Sequence, residues 1–481
     1  LGLGSDHAGI LILDEQAKIG EPISNVLGLS DTILEIENKS ITHRPDLFSH
    51  WGFAREISAL LGKQFLPDLP KVNLADKKLA NKSLNIKVEN NQLCPAYFAI
   101  RLTNIQVKPS PRWLQQRLNA IGIKSINQIV DITNYVMAEI GQPLHAFDAD
   151  KLTDGKIIIR LAKQGEKIIA LDQQTYRLSA NNLVIADNKK AIALAGIIGG
   201  DSSKIDANTK NIILESANFD PVNIRRTSRQ FNLRTESAIR FEKGLPVNFP
   251  LFGLQRAVQL FQKISDSKID SCLFSQTNKL FEQRLIRRKK ILIFPDKINE
   301  FLGVALTPNK ITSVLETIGC QIKQTDLRKE IIKLAKQQLN KPFRYGVSTF
   351  LDAPKIFDCS SLTKYLYRQI GVELPRNSIM QINEGESIDL VNALSGDLVF
   401  AKGNKPYFDK TFPEGIGHVG IYLGKNKVIH ASSSAKKIIK TTIANFSSKK
   451  DWRGVRRFIS QKRGWVITAP IWRPDLQLMP D

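Results

Sequence analysis

Two short strand-like runs, Gln321–Lys323 and Trp465–Thr468, would make an ordinary hairpin if they were adjacent, yet residues 324–464 stand between them. A hairpin tip is where foreign sequence disturbs a fold least, because closure entropy grows only logarithmically with loop length and few buried contacts are broken. Composition changes at the same place. Near residue 325 an amphipathic helix carrying Leu327, Ile331 and Leu334 opens a segment of different vocabulary, which ends in the basic, Ser-rich stretch 446–463. The expectation is a nested fold in which 326–463 is an inserted domain.

The rest of the chain reads as α+β and multidomain. At roughly 100–200 residues per domain, 481 residues make three to four domains. Hydrophobic residues at 42% and charged residues at 24% exclude disorder as the main state. Segment 31–37 alternates Leu34 and Ile36 with Glu35 and Glu37, the pattern of a half-buried strand, while 49–62 carries Trp51, Ala54, Ile57, Leu60 and Leu61 at helical spacing. Ser110-Pro111, then Leu114, Leu118 and Ile121, then Gly122, reads as N-cap, first-turn Pro, apolar face and stop; Thr307-Pro308 through Gly319 repeats it. Strands are expected at Lys156–Leu161, Leu183–Ala186 and Ala191–Ala195.

Charge and cysteine narrow the chemistry. Lys and Arg number 69 against 46 Asp and Glu, a net charge of +23 that favours polyanionic partners. Arg284–Lys290 and Lys449–Arg457 are the candidate contacts, with a solvated basic face as the plainer explanation of each. Cys94, Cys272, Cys320 and Cys359 lack CxxC spacing, which argues against a disulfide framework and a zinc site and fits a reducing compartment. The chain starts at Leu1 without an export-signal pattern and stops soon after a strand-like run, and is expected to be a piece of a longer protein.

Between residues 40 and 245 several runs carry chemistry. Ile132-Thr133-Asn134-Tyr135 through Leu144-His145-Ala146-Phe147-Asp148 sets one His among Thr, Asn and Asp, either a site or a hydrogen-bonded core residue. Ala195-Gly196-Ile197-Ile198-Gly199-Gly200 strips away side chains, for a turn or for backbone N–H groups near a ligand. Glu215 ends the apolar run Ile212, Ile213, Leu214, where an acid needs a partner unless the strand end lies in solvent.

With Thr42-His43-Arg44-Pro45-Asp46, Gly52-Phe53-Ala54-Arg55-Glu56, Phe219-Asp220-Pro221, Arg234-Thr235-Glu236-Ser237 and Arg240-Phe241-Glu242-Lys243-Gly244, these runs resemble the β subunit of bacterial phenylalanyl-tRNA synthetase. The resemblance implies the end of a B1-like domain at 1–39, a B3/B4 editing module at 40–284 and the first half of a B5 domain at 285–325, with a truncated second half at 464–481. It implies hydrolysis of tyrosine wrongly attached to tRNA(Phe), in a pocket of Thr133, Asn134, His145, Ala195, Gly196, Glu215, Thr235 and Ser237, with Glu215 selecting the phenol. Ser237 stands where the family usually has Ala. Implied for the complete synthetase are phenylalanylation of tRNA, an α subunit in an α2β2 heterotetramer, ATP and Mg²⁺, and a cytoplasmic location without a membrane; no cofactor or metal is expected on the present residues.

Within 326–463, Asp358-Cys359-Ser360 opens a helix with Leu362, Tyr365, Leu366 and Ile370 on its apolar face and Gly371 at its end. A Cys in a helix's first turn is placed for a lowered thiol pKa, unless it is a small buried hydrophobe. His418, Gly420 and Tyr422 would share one strand face, and His430 ends the next strand, Val428-Ile429, so a nucleophile, base and orienting residue are available; metal binding is the weaker alternative. With Leu374-Pro375-Arg376-Asn377-Ser378, Gly396-Asp397-Leu398-Val399-Phe400 and Ile429-His430-Ala431, this segment resembles NlpC/P60 cysteine peptidases, papain-like enzymes of γ-D-glutamyl links in cell-wall peptides. The resemblance implies the triad Cys359, His418, His430; Ser361 replaces a usual Gly, and Phe343 a usual Tyr. Two functions follow: a synthetase β-subunit piece carrying a cysteine hydrolase-like domain, or alternatively a cell-wall peptidase with synthetase-derived flanks.

Overall fold

The computed structural model describes residues 13, 17–26, 31–68, 70, 72–74, 79, 82–279, 281–282, 290–349, 352–459 and 463–468. They fall into two compact units, one within residues 1–287 and one within 288–471. The basic run 284–289 and the tail 469–481, and with them most of the truncated second half of the B5 resemblance, lie outside the described residues.

In the first unit, α1 (Ile23–Val26) precedes α2 (His50–Leu60), which Ser49 caps by accepting from the Gly52 N–H. Segment 31–37 forms no strand. Leu34 and Ile36 are 72% and 48% exposed, so among the described residues the alternation finds no pairing edge and nothing to bury against. The chain continues through β1 (Asn85–Val88), β2 (Ala96–Thr103), α3 (Arg112–Ala120), α4 (Gln128–Ile140), β3 (Leu144–Asp148) and β4 (Lys156–Leu161). The small hairpin β5 (Lys167–Ile169) and β6 (Thr175–Arg177) leads to β7 (Leu183–Ala186), β8 (Ala191–Leu194), β9 (Ile198–Gly199) and β10 (Ile212–Asn218). Then come α5 (Pro221–Phe231), α6 (Glu236–Phe241), α7 (Phe249–Ser265), β11 (Lys268–Ile269) and β12 (Phe274–Thr277).

Two sheets result, β1-β4-β7-β8-β9 and β11-β2-β10-β3, the second with β12 also on β2. Strands β2 and β10 are buried on both faces, and their period-2 alternation feeds two cores. Tyr97, Ala99, Ile213 and Ala217 face the other sheet, against Ile157, Ile185, Ile192 and Leu194. Phe98, Ile100, Ile212 and Leu214 face the helices, against Leu114, Leu118, Ile132, Val136, Phe252 and Phe261. The expected cap of α3 is corrected: Ser110 donates its hydroxyl to Asp131 at 2.5 Å, and the helix starts after Pro111 without a side-chain cap.

The second unit begins with β13 (Lys290–Ile293), α8 (Pro295–Leu302) and α9 (Pro308–Thr317), the last capped by Thr307. Next, β14 (Gln321–Asp326) runs directly into α10 (Leu327–Lys336), because the Asp326 carboxylate accepts from the N–H groups of Arg328 and Lys329. After α11 (Cys359–Gln369), α12 (Ser378–Glu384), β15 (Glu386–Ile388) and β16 (Leu398–Ala401) come β17 (His418–Gly424), β18 (Lys427–Ser432) and β19 (Lys437–Thr442). The last elements are α13 (Ile443–Phe446), β20 (Trp452–Arg457) and β21 (Arg463–Thr468). The separated strands pair: β14 and β21 run antiparallel from Gln321 opposite Thr468 to Asp326 opposite Arg463, in a three-stranded sheet β13-β21-β14. Everything between them builds a six-stranded sheet, β15-β20-β16-β17-β18-β19, with α10 and α11 packed on one face through Leu327, Ile331, Leu362 and Leu366.

One buried acid ties the two ends of that segment together. Asp397 is fully buried and accepts from Arg328 of α10 at 2.8 Å and from Arg457 of β20 at 2.9 Å; Arg328 also donates to the Ile459 carbonyl at 2.8 Å. Among the described residues no helix is long and apolar enough to cross a membrane.

Candidate functional sites

Strand β10 places Glu215 in mid-strand, not at the strand's end, directly opposite His145 of β3. Opposed residues of an antiparallel pair point to one face with Cβ atoms about 4.5–5.5 Å apart, here the face between the two sheets. Glu215 is 5% exposed and accepts from the Tyr97 hydroxyl at 2.7 Å. Burial pushes its carboxyl up to about 8, with the Tyr97 hydrogen bond pulling the other way, so the acid keeps its proton at neutral pH. His145 is held down to about 4 by burial alone and is a neutral imidazole.

The opposite sheet closes on this pair. A Cβ added to Gly199 would lie 2.6 Å from Cε1 of His145, so only glycine lets the strand approach the ring. Gly196 has φ +68°, and its Cβ would meet Phe219 and Ile224 at 2.8 and 2.9 Å. The turn bearing it is pinned from α6 and its cap: Thr235 donates to the Ile197 carbonyl at 2.7 Å, and Ser237 to the Gly196 carbonyl at 3.0 Å. Ala195 is 1% exposed beside them.

In the second unit Asp358 caps α11 and puts Cys359 at its first helical position. Ser361 completes a capping box, its hydroxyl accepting from the Asp358 N–H at 2.8 Å. Arg376 then clamps Asp358 at 2.6 Å and donates to Ser360 and to the Val347 carbonyl. The Cys359 thiol lies 3.7 Å from the Gly417 carbonyl, at the start of β17. His418 Nε2 and His430 Nδ1 are 2.7 Å apart, and both rings pack on Phe446, His418 stacked at 4.9 Å and His430 edge-on at 5.2 Å. A Cβ on Gly420 would strike Val428 at 2.5 Å and Phe446 at 3.0 Å, so glycine is required there for the aromatic to reach the imidazoles.

Residues 93–266 match the B3/4 domain family, and residues 340–457 match the NlpC/P60 family. The chain joins a B3/4 domain to an NlpC/P60 domain. Curated relatives agree on the first part: the phenylalanine–tRNA ligase β subunit of Solibacter usitatus is 48% identical over 265 residues, covering 55% of this chain and 34% of that protein. That of Geobacter metallireducens is 40% identical over 323 residues, 67% of this chain and 39% of that protein. The chain thus spans between a third and two-fifths of the length of these relatives. Among solved structures, NlpC2 from Trichomonas vaginalis is 25% identical with a TM-score of 0.24, covering 28% of this chain and 47% of that one. The NlpC/p60 domain of peptidoglycan hydrolase SagA is 26% identical with a TM-score of 0.23, covering 27% and 98%.

In the B3/4 domain, Glu215 and His145 form one group, and Ala195, Gly196, Thr235 and Ser237 form a second at the turn, which leads through Ile197 and Ile198 to Gly199 against the His145 ring. Thr133 and Asn134 sit on α4, and among the described residues no hydrogen bond joins them to either group; the Thr133 hydroxyl donates to Val130 of its own helix at 2.7 Å. Tyr97 escaped notice because a Tyr in an apolar strand reads as core, and only the three-dimensional register brings it diagonally beside Glu215.

In the NlpC/P60 domain the two imidazoles meet and the Cys359 thiol lies beside Gly417, the residue before His418, but the thiol is shifted away from the expected thiolate. Burial and the nearby Asp358 push Cys359 up to about 11, outweighing the Val419 and Ser360 N–H groups. His418 is held down to about 3 and His430 to about 4, mainly by burial, so thiol and imidazoles rest neutral. His430 lies within β18 and not at its end, 6% exposed. Phe343 packs against the domain core, while Tyr345, two residues on, meets the Tyr407 hydroxyl at 3.1 Å. In the basic run 449–457, Lys449 and Lys450 are exposed, while Arg453 donates to the Gly415 carbonyl, Arg456 to the Ile382 carbonyl and Arg457 to Asp397.

Proposed function

We propose that the chain is part of a phenylalanine–tRNA ligase β subunit whose B3/4 domain hydrolyses tyrosine from mischarged tRNA(Phe). The observation that carries this is the Glu215 carboxyl, buried opposite a neutral His145 whose ring Gly199 approaches closely. Tyr97 occupies Oε2 of Glu215. Its remaining oxygen would be satisfied by a tyrosine hydroxyl and left bare by phenylalanine, and an unmet buried polar group discriminates far better than the size of one atom. In the reaction, water attacks the ester carbonyl, the bond from that carbon to the ribose oxygen breaks, and the ribose leaves with a proton. His145, unprotonated at neutral pH, can take the water's proton. Of the turn's backbone donors, the Ala195 N–H is taken by the Leu183 carbonyl at 3.1 Å, and the Gly196 N–H would donate to the developing oxyanion.

The test is deacylation of tyrosyl- against phenylalanyl-tRNA(Phe) by the chain and by Glu215→Ala. Selectivity should collapse in the variant; equal selectivity in both would overturn the role of Glu215. Ligase activity, ATP and Mg²⁺ use and the α-subunit partner are proposed for the whole enzyme.

A second activity is favoured by the paired His418 and His430 rings and by the Cys359 thiol beside Gly417, the residue before His418. The NlpC/P60 domain would cleave a peptide bond: His418 takes the thiol proton as sulfur attacks the carbonyl, passes it to the departing amine, and water then splits the thioester. Hydrolysis of a γ-D-glutamyl dipeptide amide, lost in Cys359→Ser, tests it; no turnover by the unaltered chain would overturn it.

A further inference from the structure

Arginines 225, 226 and 229 project from the exposed face of α5, and among the described residues none of them has a carboxylate partner. With Lys243, Glu242, Pro221 and Val222 they line an open groove of about 390 Å³. Glu242 offsets Lys243 at 3.7 Å, which leaves three uncompensated guanidinium groups around one concavity. Arg225 and Arg229 are one helical turn apart, on the same face. Unpaired arginines so close repel one another and persist most easily where an anion is to be received; the planar guanidinium fork matches phosphate oxygens two at a time.

The groove lies on the outer side of the elements that pin the Gly196 turn. The buried side of α5 contributes Ile224, which packs beside Gly196, and α6 contributes Ser237, which donates to the Gly196 carbonyl, and Phe241 at the same turn. The elements that position the turn thus carry the cations on their outer side. Exposed Val222, 53% accessible, gives the groove an apolar patch on which a sugar or base can rest.

We propose that this groove binds backbone phosphates of the single-stranded 3′ end of tRNA and leads its terminal ester to the Ala195–Gly196 turn. The assignment rests on the deacylation proposed above, and it commits to RNA over an acidic protein segment because the helices that carry these cations also pin the turn of a site proposed for an RNA-linked ester.

The experiment uses the 481-residue chain and fluorescent, uncharged tRNA(Phe), titrated between 50 and 200 mM salt. In Arg225→Gln/Arg226→Gln/Arg229→Gln the slope of log affinity against log salt should shrink by about 2, each phosphate contact on a single strand contributing about 0.7. The unaltered chain should lose the same amount when the tRNA lacks its single-stranded 3′ end. Lys436→Gln/Lys437→Gln/Lys440→Gln removes equal charge elsewhere and should leave the slope in place. An equal loss in that control, an unchanged slope in the arginine variant, or stronger competition by poly-glutamate than by RNA would overturn the proposal. The arginine variant should still hydrolyse tyrosyl-adenosine at the unaltered rate while its KM for tyrosyl-tRNA rises at least tenfold. Failure of the unaltered chain to hydrolyse either ester would overturn the deacylation, and the binding measurements would still decide the groove.

Discussion

Tyr97 holds Glu215 from the neighbouring strand: its hydroxyl donates to Oε2 at 2.7 Å, and both side chains are buried between the sheets. The register explains the reach, since Ala99 is opposite Glu215 and Tyr97 is its diagonal neighbour on the same face. Removing the donor leaves a buried acceptor unmet, which costs about 1–3 kcal/mol. Tyr97→Phe should therefore lower unfolding stability by that amount in urea titration, and it should raise the Glu215 pKa further. A fully stable variant would show that the hydroxyl does not hold the carboxyl.

The raised carboxyl makes the first unit sensitive to base. Unfolded Glu215 ionises near 4.5, whereas folded Glu215 keeps its proton until about 8. Its contribution to stability is therefore complete below pH 4.5, is lost as pH rises toward 8, and changes no further above that. Glu215→Gln should gain stability relative to the unaltered chain between pH 5 and 9, measured from unfolding midpoints. Parallel pH profiles for the two proteins would sink the assignment.

The half-buried His145 and His418 and the buried His430 act in the opposite direction. His145, His418 and His430 are held below 6.5, at about 4, 3 and 4, because burial disfavours the charged ring. The unfolded chain takes up protons below pH 6.5 and the folded chain does not, so stability is present above 6.5 and falls as pH drops toward 4. His430→Asn should flatten the acid limb of the second unit, and His145→Asn that of the first. Unaltered acid limbs in both variants would contradict the burial argument.

Much of the architecture was legible because it follows from local rules. Helix caps such as Thr307 and Asp358, the broken hairpin and the Cys359, His418, His430 order are all written in neighbouring residues. What was not legible depends on three-dimensional neighbours. Tyr97 at Glu215 and Phe446 beneath two imidazoles are aromatics that look like ordinary core, and the arginines of α5 look like any solvated helix face. The alternation at 31–37 misled because a strand needs a partner edge. In the run 449–457 the sequence does not reveal that internal carbonyls and Asp397 hold its arginines.

The neutral state of Cys359 gives a reversed expectation for alkylation. Its rise from 9.0 to about 11 leaves roughly a hundredfold less thiolate at neutral pH than an ordinary thiol. Iodoacetamide should label Cys359 at pH 7.5 more slowly than a free peptide thiol by about that factor. His418→Ala should abolish peptide hydrolysis with little change in labelling, because the neutral imidazole acts when the proton moves and does not store a thiolate beforehand. Rapid labelling that depends on His418 would show a preformed ion pair instead.

The Arg328, Asp397 and Arg457 cluster supports the proposal that 326–463 is an insertion that closes on itself. Arg328 stands two residues into the segment and Arg457 near its end, and both reach the same buried carboxylate. Breaking a buried ion cluster by removing one member costs about 3–5 kcal/mol, since the partners stay buried without compensation. Asp397→Ala should lower the stability of the excised segment by that amount, while the segment itself unfolds in one cooperative transition. Phe294, the residue between β13 and α8, also packs against the core of this segment, so excision should cost some stability without abolishing the fold. In the complementary deletion, Asp326 joined to Arg463 through a two-residue Asn-Gly turn should keep β14 paired with β21, because their register already brings these two residues opposite each other. Backbone amide protection on β14 and β21 in the deleted chain is the measurement. Loss of that protection would show that the two strands need the intervening domain to hold their register.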